Sequence, residues 1–261
     1  MSEKTTLGGL KRFFKFPFEG VDWQKRFVIG TALILVSFFI PIIPLIFVFG
    51  YVMQVMRRAI EGQDLALPEW DDWGKLGVDG LRYGVVSLAF MLPGFLVYFG
   101  GMGIYMLSAM ILPMSMQMME HGRGSFAVIP LFFVLSIVIL FFSIFLGMIL
   151  TFLGAIPLPA ALAHFVAKDQ VGAAFRFREW WPLLWRNKMG YFIAWVLCGG
   201  LIGILYYGIM MLYATLVLCV LIPVLSAPLL FYLALVCAAV FGETYRESKS
   251  IVEPDQEESK S

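Results

Sequence analysis

An all-α, polytopic membrane bundle built from hairpins with short interfacial helices, six to eight membrane helices in all, is the fold class that this chain predicts. Of its 261 residues 61% are hydrophobic and 14% charged, against about 25% charged in soluble domains. The charges are also segregated, since every Asp, Glu, Lys and Arg falls within 1–26, 57–82, 120–123, 168–188 or 243–261. The runs between them, 27–56, 83–119, 124–167 and 189–242, are 30, 37, 44 and 54 residues long and carry no formal charge. One crossing takes about 20 residues.

The last three runs each have room for two crossings; the first is long for one helix and short for two. Single crossings would set Arg57, Arg58, Lys75 and Arg82 opposite the basic N-terminus, against positive-inside bias. If every run returns to its starting side, all five charged segments and both termini are cytoplasmic. The expected outer turns are Pro41-Ile42-Ile43-Pro44, Gly100-Gly101-Met102-Gly103, the neighbourhood of Ser143 to Gly147, and the Tyr206 to Tyr213 region. Residues 27–56 then form a shallow hairpin broken at Pro41 and Pro44, or one long kinked helix. Three parts are expected: a basic-aromatic interfacial segment 1–26, a membrane domain 27–242 of four hairpin-like runs, and an acidic, disordered cytoplasmic tail 243–261.

Polar punctuation recurs along the chain. Asp22-Trp23-Gln24-Lys25 anticipates Asp72-Trp73-Gly74-Lys75, and in each case a glycine (Gly30, Gly80) follows the Trp by seven positions. Glu179-Trp180, with Gly190 beyond it, is a looser version. In the first segment Lys4, Lys11, Arg12, Lys15, Lys25 and Arg26 stand among Phe13, Phe14, Phe16, Phe18 and Trp23, a pattern that ordinary interfacial electrostatics explains as a topology anchor and that also suits anionic headgroups. Arg57 and Glu61 are four apart on one helical face, Arg58 suits a helix C-terminus, and Gly62 closes that helix. Next come a linker and Leu67-Pro68-Glu69-Trp70-Asp71-Asp72-Trp73, in which Asp71 or Asp72 caps a helix and the two Trp lie at the interface. Glu69, Asp71 and Asp72 are candidates for a cation or partner site, although carboxylates at a helix start need no ligand.

Met102, Met106, Met110, Met114 and Met118 recur every four residues. Such a stripe suits helix packing, and the alternative is a soft-metal path for copper(I) that ends near His121. His121 and Arg123 occupy a glycine-bounded turn, and His164 sits one turn inside a charged boundary, where a backbone carbonyl or interfacial water is its expected partner. Arg176, Arg178 and Arg186 interleave with Trp180, Trp181 and Trp185, as in an amphipathic helix lying along the membrane surface. Cys198, Cys219 and Cys237 lie in apolar runs without paired spacing.

At Arg57-Arg58-Ala59-Ile60-Glu61-Gly62, at Leu67 to Trp73 and at Asp79-Gly80-Leu81 the chain resembles the domain-of-unknown-function 4013 family, over about residues 8–245. The resemblance implies a prokaryotic multi-pass membrane protein and brings no catalytic residues. No Ser/His/Asp, HExxH or phosphate-loop arrangement occurs, so no cofactor and no enzyme activity are expected. The net charge of +1 gives no reason to expect nucleic acid. The expected role is a scaffold or assembly factor that binds anionic lipid, a membrane-protein partner or a second copy. The alternative is a permease or channel for an apolar or weakly polar solute, not proton-coupled because no ionisable acid or strong base lies within the runs.

Overall fold

The computed structural model describes residues 11–120, 128–214 and 221–258, and all regular structure among them is helical. The helices are α1 (Trp23–Ser37), α2 (Ile42–Glu61), α3 (Trp73–Glu120), α4 (Val128–Ala155), α5 (Leu158–Lys168), α6 (Phe177–Arg186), α7 (Lys188–Ala214) and α8 (Ile222–Glu258). Short 3₁₀ turns occupy Phe16–Phe18 and Val171–Phe175. Five stretches, Ile42–Glu61, Trp73–Pro113, Leu131–Lys168, Lys188–Tyr213 and Ile222–Ile251, are long and apolar enough to cross a membrane. The protein is therefore all-α and polytopic.

The chain divides into two compact units, residues 87–158 forming one and the remainder the other. In the larger unit α8 packs against α1, α2, α6 and α7. Its buried face combines Phe231 and Leu235 with Ala227, Ala238 and Ala239, small residues that let neighbouring backbones approach. Among the crossing stretches those in α2 and α8 are 50% and 56% buried, against 11–17% for the other three. These two helices form the core, and most of the remaining apolar surface is left to lipid.

The repeated Asp-Trp pattern marks two helix starts, because Trp23 opens α1 and Trp73 opens α3. The glycines seven positions on are both sites of close approach. A Cβ on Gly80 would overlap the Ile46 carbonyl, and one on Gly30 the Phe231 ring. Gly50 answers Gly80 across the same crossing, lying against the Leu76 carbonyl. At the end of α2, Gly62 adopts φ 71° and its N–H reaches Ala59 O.

Three of the expected outer turns are helical instead. α3 passes through Gly100–Gly103 as continuous helix, and α4 does the same through Ser143–Gly147. Within residues 87–158 these helices instead pair antiparallel with each other: Gly94 lies against Gly147 and Thr151, Gly101 against Ser143, and Gly154 against Phe90. Ser108 and Ser136 share a buried 2.5 Å hydrogen bond in the same seam. Small residues here serve helix contact, and a continuous helix satisfies backbone groups that a turn in hydrocarbon would leave open. Tyr206–Tyr213, the expected outer turn of the last run, is likewise helical within α7, whereas 27–56 is divided between α1 and α2 at residues 38–41. The tail expected to be disordered continues α8 to Glu258, with Thr244, Tyr245 and Ser248 buried.

The α2/α3 crossing predicts that Gly50→Ala and Gly80→Ala each lower stability by about 1–3 kcal/mol through overpacking. Gly84→Ala, with nothing within 4 Å of the added methyl, should be neutral or stabilising. Thermal unfolding of the three variants in one detergent checks this, and equal melting temperatures would contradict the crossing.

Candidate membrane-interface site

Between α2 and α3 residues 63–72 run without helix, so their backbone carbonyls need outside donors. Three consecutive ones receive them from side chains. Arg58 Nη1 donates to Ala66 O at 3.0 Å, Arg26 Nη1 to Leu67 O, and Tyr51 Oη to Pro68 O at 2.8 Å. In return Trp70 Nε1 donates to Arg26 O at 2.9 Å, and the Trp70 and Tyr51 rings stack at 4.0 Å and 7°. Arg26 also pairs with Glu69 at 2.6 Å. Arg58, Glu69 and Trp70, three of the candidate interaction residues, are thereby engaged in holding this strap. Asp72 caps α3 by accepting the Lys75 N–H at 2.9 Å, Asp71 accepts the Asp72 N–H, and Trp73, 42% exposed, meets Phe47 edge-on.

Arg57 does not pair with Glu61. Its partner is Asp169, 2.9 Å away and 112 positions along the chain, while Glu61 accepts from Gln63 Nε2 at 2.7 Å. Arg82 stands between Asp169, at 3.9 Å, and the buried Asp79, at 3.6 Å.

His164 lies on α5 among Ala160, Ala161 and Ala163 and is 3% exposed. Its expected partner, a carbonyl or water, is replaced by two side chains. Nε2 lies 3.0 Å from Glu179 Oε2 and Nδ1 lies 2.7 Å from Tyr245 Oη. A carboxylate only accepts, so Nε2 carries a proton, and in the neutral ring Nδ1 then receives the Tyr245 O–H. The bond from His164 holds the Glu179 carboxyl below its usual range, and Arg176, 3.4 Å away, adds to the effect against partial desolvation. Tyr245 went unrecognised in the sequence because its partner is 81 positions distant.

On α6 the aromatic residues split between two faces. Trp180 is fully buried and donates Nε1–H to Ala174 O at 2.9 Å. Phe177, Trp181 and Trp185, spaced by four, are 51%, 48% and 63% exposed, and Trp181 stacks on Trp185 at 6.1 Å and 12°. Arg178 and Arg186 are exposed beside them. Of the methionine stripe, Met102 is half-buried and Met106 and Met110 are exposed. The side chains of Met114 and Met118, with His121 and Arg123, lie outside the described residues. Among the described residues no group of three or more His, Cys, Asp or Glu is placed to hold a metal ion.

Apolar crossing stretches, together with polar side chains gathered where helices end, define a multi-pass helical membrane protein. Residues 33–214 match the family described as protein of unknown function DUF4013, and the chain belongs to that family. The match is narrower than the 8–245 suggested by the motifs, containing the strap, His164 and α6 but not the basic N-terminal segment or α8. No curated protein and no solved structure matches the chain.

Tyr245→Phe leaves His164 Nδ1 buried without its donor, which predicts a loss of about 1–3 kcal/mol. Glu179 gives a pH test. Because its carboxyl lies below the ordinary 4.5, its contribution is complete above that value and disappears as pH falls through the lowered one. Glu179→Gln should therefore destabilise at neutral pH and converge with the parent at acid pH, read from thermal melts across pH. A gap that widened on acidification would contradict the His164–Glu179 bond.

Proposed function

We infer that this protein is a non-catalytic scaffold or assembly factor whose polar face lies on the inner leaflet of a prokaryotic cell membrane and receives a membrane-protein partner or second copy there. The observation that carries the reading is the cross-bonding of four charged segments: Arg26 with Glu69, Arg57 with Asp169, and His164 with both Glu179 and Tyr245. Asn187 Nδ2, which reaches Thr244 O at 3.4 Å, adds another tie. His164, Glu179 and Tyr245, groups capable of acid–base work, are occupied in holding this face together.

In this reading α1 and α2 form the shallow hairpin, α3, α4, α7 and α8 cross once each, and the membrane helices number six. Residues 87–120 are helical over 34 positions, about 50 Å, a length that supports one crossing there. Anionic lipid meets the protein at α6, where Arg178 and Arg186 flank the outward aromatic stripe, and at Lys11, Arg12 and Lys15, all exposed. Tyr232 Oη ties that N-terminal segment to α8 through Phe14 O at 3.1 Å. The exposed carboxylates Glu61, Asp64, Asp71 and Asp72 make the strap the docking place for a partner.

Each juxtamembrane base contributes about 1 kcal/mol near an anionic surface, so Arg178→Gln with Arg186→Gln should lower anionic-lipid retention by about tenfold or more. Arg176 is left intact so that its pairing with Glu179 is preserved. Trp181→Ala should loosen the depth of α6 without changing the charge contribution. Native mass spectrometry of lipid-retaining protein measures both, and unchanged anionic-lipid occupancy in the double variant would overturn lipid capture.

A further inference from the structure

The start of α1 and the end of the strap enclose a cleft of about 320 Å³, lined by Asp22, Lys25, Arg26, Ile29, Glu69, Trp70 and Asp71. Arg26 and Glu69 neutralise each other at 2.6 Å, which leaves Lys25, Asp22 and Asp71 as the other charged residues of the lining. Among the described residues no hydrogen bond or ion pair engages the Lys25 ammonium or the Asp22 carboxylate. The contrast with the matching helix start is informative. Asp72 turns its carboxylate onto its own helix and accepts the Lys75 N–H, whereas Asp22, at φ 56°, makes no such bond. The same sequence signature is used once for capping and once with the carboxylate left over.

The uncompensated charges of the cleft amount to one ammonium and two carboxylates. An anionic headgroup would face a net negative site. A zwitterion carrying a phosphate and an N–H-bearing ammonium satisfies both signs, and the apolar Ile29 wall and the 63% exposed Val28, within one turn of Lys25, lie where an acyl chain would begin. We propose that this cleft seats the headgroup of an aminophospholipid of the phosphoethanolamine type, its ammonium between Asp22 and Asp71 and its phosphate at Lys25. The proposal rests on the membrane-apposed face described above and names a lipid class different from that assigned to α6.

The full chain, purified and given equal amounts of phosphatidylethanolamine, phosphatidylcholine and phosphatidylglycerol with identical acyl chains, should retain phosphatidylethanolamine over phosphatidylcholine about fivefold, the size of a solvent-accessible ion pair. The trimethylated ammonium has no N–H to donate. Asp22→Asn with Asp71→Asn should abolish the preference, while Glu61→Gln with Asp64→Asn, the same change in charge outside the cleft, should preserve it. Lys25→Gln should weaken retention of both zwitterionic lipids equally. Soluble glycerophosphoethanolamine, which lacks acyl chains, should not displace the lipid. Equal retention of the two zwitterionic lipids by the parent, or a preference that survives in the Asp22/Asp71 variant, overturns the site; displacement by the soluble headgroup overturns its assignment to a lipid. Phosphatidylglycerol retention follows Arg178 and Arg186, so the α6 reading and this one can fail separately.

Discussion

Three carbonyls that no helix can satisfy, those of Ala66, Leu67 and Pro68, hold the larger unit together at its polar end. Extended chain at a membrane boundary must find donors for its backbone or remain in water. Here the donors are Arg58 and Tyr51 from α2 and Arg26 from α1, so satisfying the strap also fixes those two helices to each other. Trp70 closes the arrangement by donating to Arg26 O and covering Tyr51, and Phe231 of α8 sits beside both rings. Helix starts, aromatic packing and charge pairing at this end follow from one need.

That need explains which parts were legible in advance. Charge segregation revealed the membrane class, and the Asp-Trp pairs with glycine seven positions on marked two true helix starts with close packing behind each. The same residue type misled at Gly100–Gly103, where glycine was read as a turn signal and turned out to lie within a helix, Gly101 resting against Ser143. Glycine permits both uses, and only the partner helix decides between them. His164 was visible as an isolated polar residue, but its partners Glu179 and Tyr245 lie 15 and 81 positions away. Arg57 similarly passed over the obvious Glu61 for Asp169. Local spacing proposes pairs; tertiary approach chooses them.

The candidate site changes character once those partners are known. Residues that looked like interaction groups, namely Arg57, Arg58, Glu69, Trp70 and His164, are consumed by the fold. Exposed side chains of another kind remain: the stripe Phe177, Trp181 and Trp185 with Arg178 and Arg186 beside it, and the cleft lined by Lys25. A bonded interior layer and an aromatic, charged exterior suit a protein that holds position at an interface better than one that turns over a substrate. The scaffold reading depends on the four charged segments of the larger unit forming a single layer on one side of the membrane.

Thiol labelling in intact cells tests that dependence most directly. In a background lacking Cys198, Cys219 and Cys237, single changes Asp64→Cys, Gly172→Cys and Ser250→Cys are exposed or lie in exposed segments of three of the four charged regions. All three should be protected from an impermeant reagent in intact cells and become reactive in inverted vesicles. Reaction of Asp64→Cys from the side opposite Gly172→Cys or Ser250→Cys would separate segments that the bonds from Arg57 and His164 join, and would contradict the account.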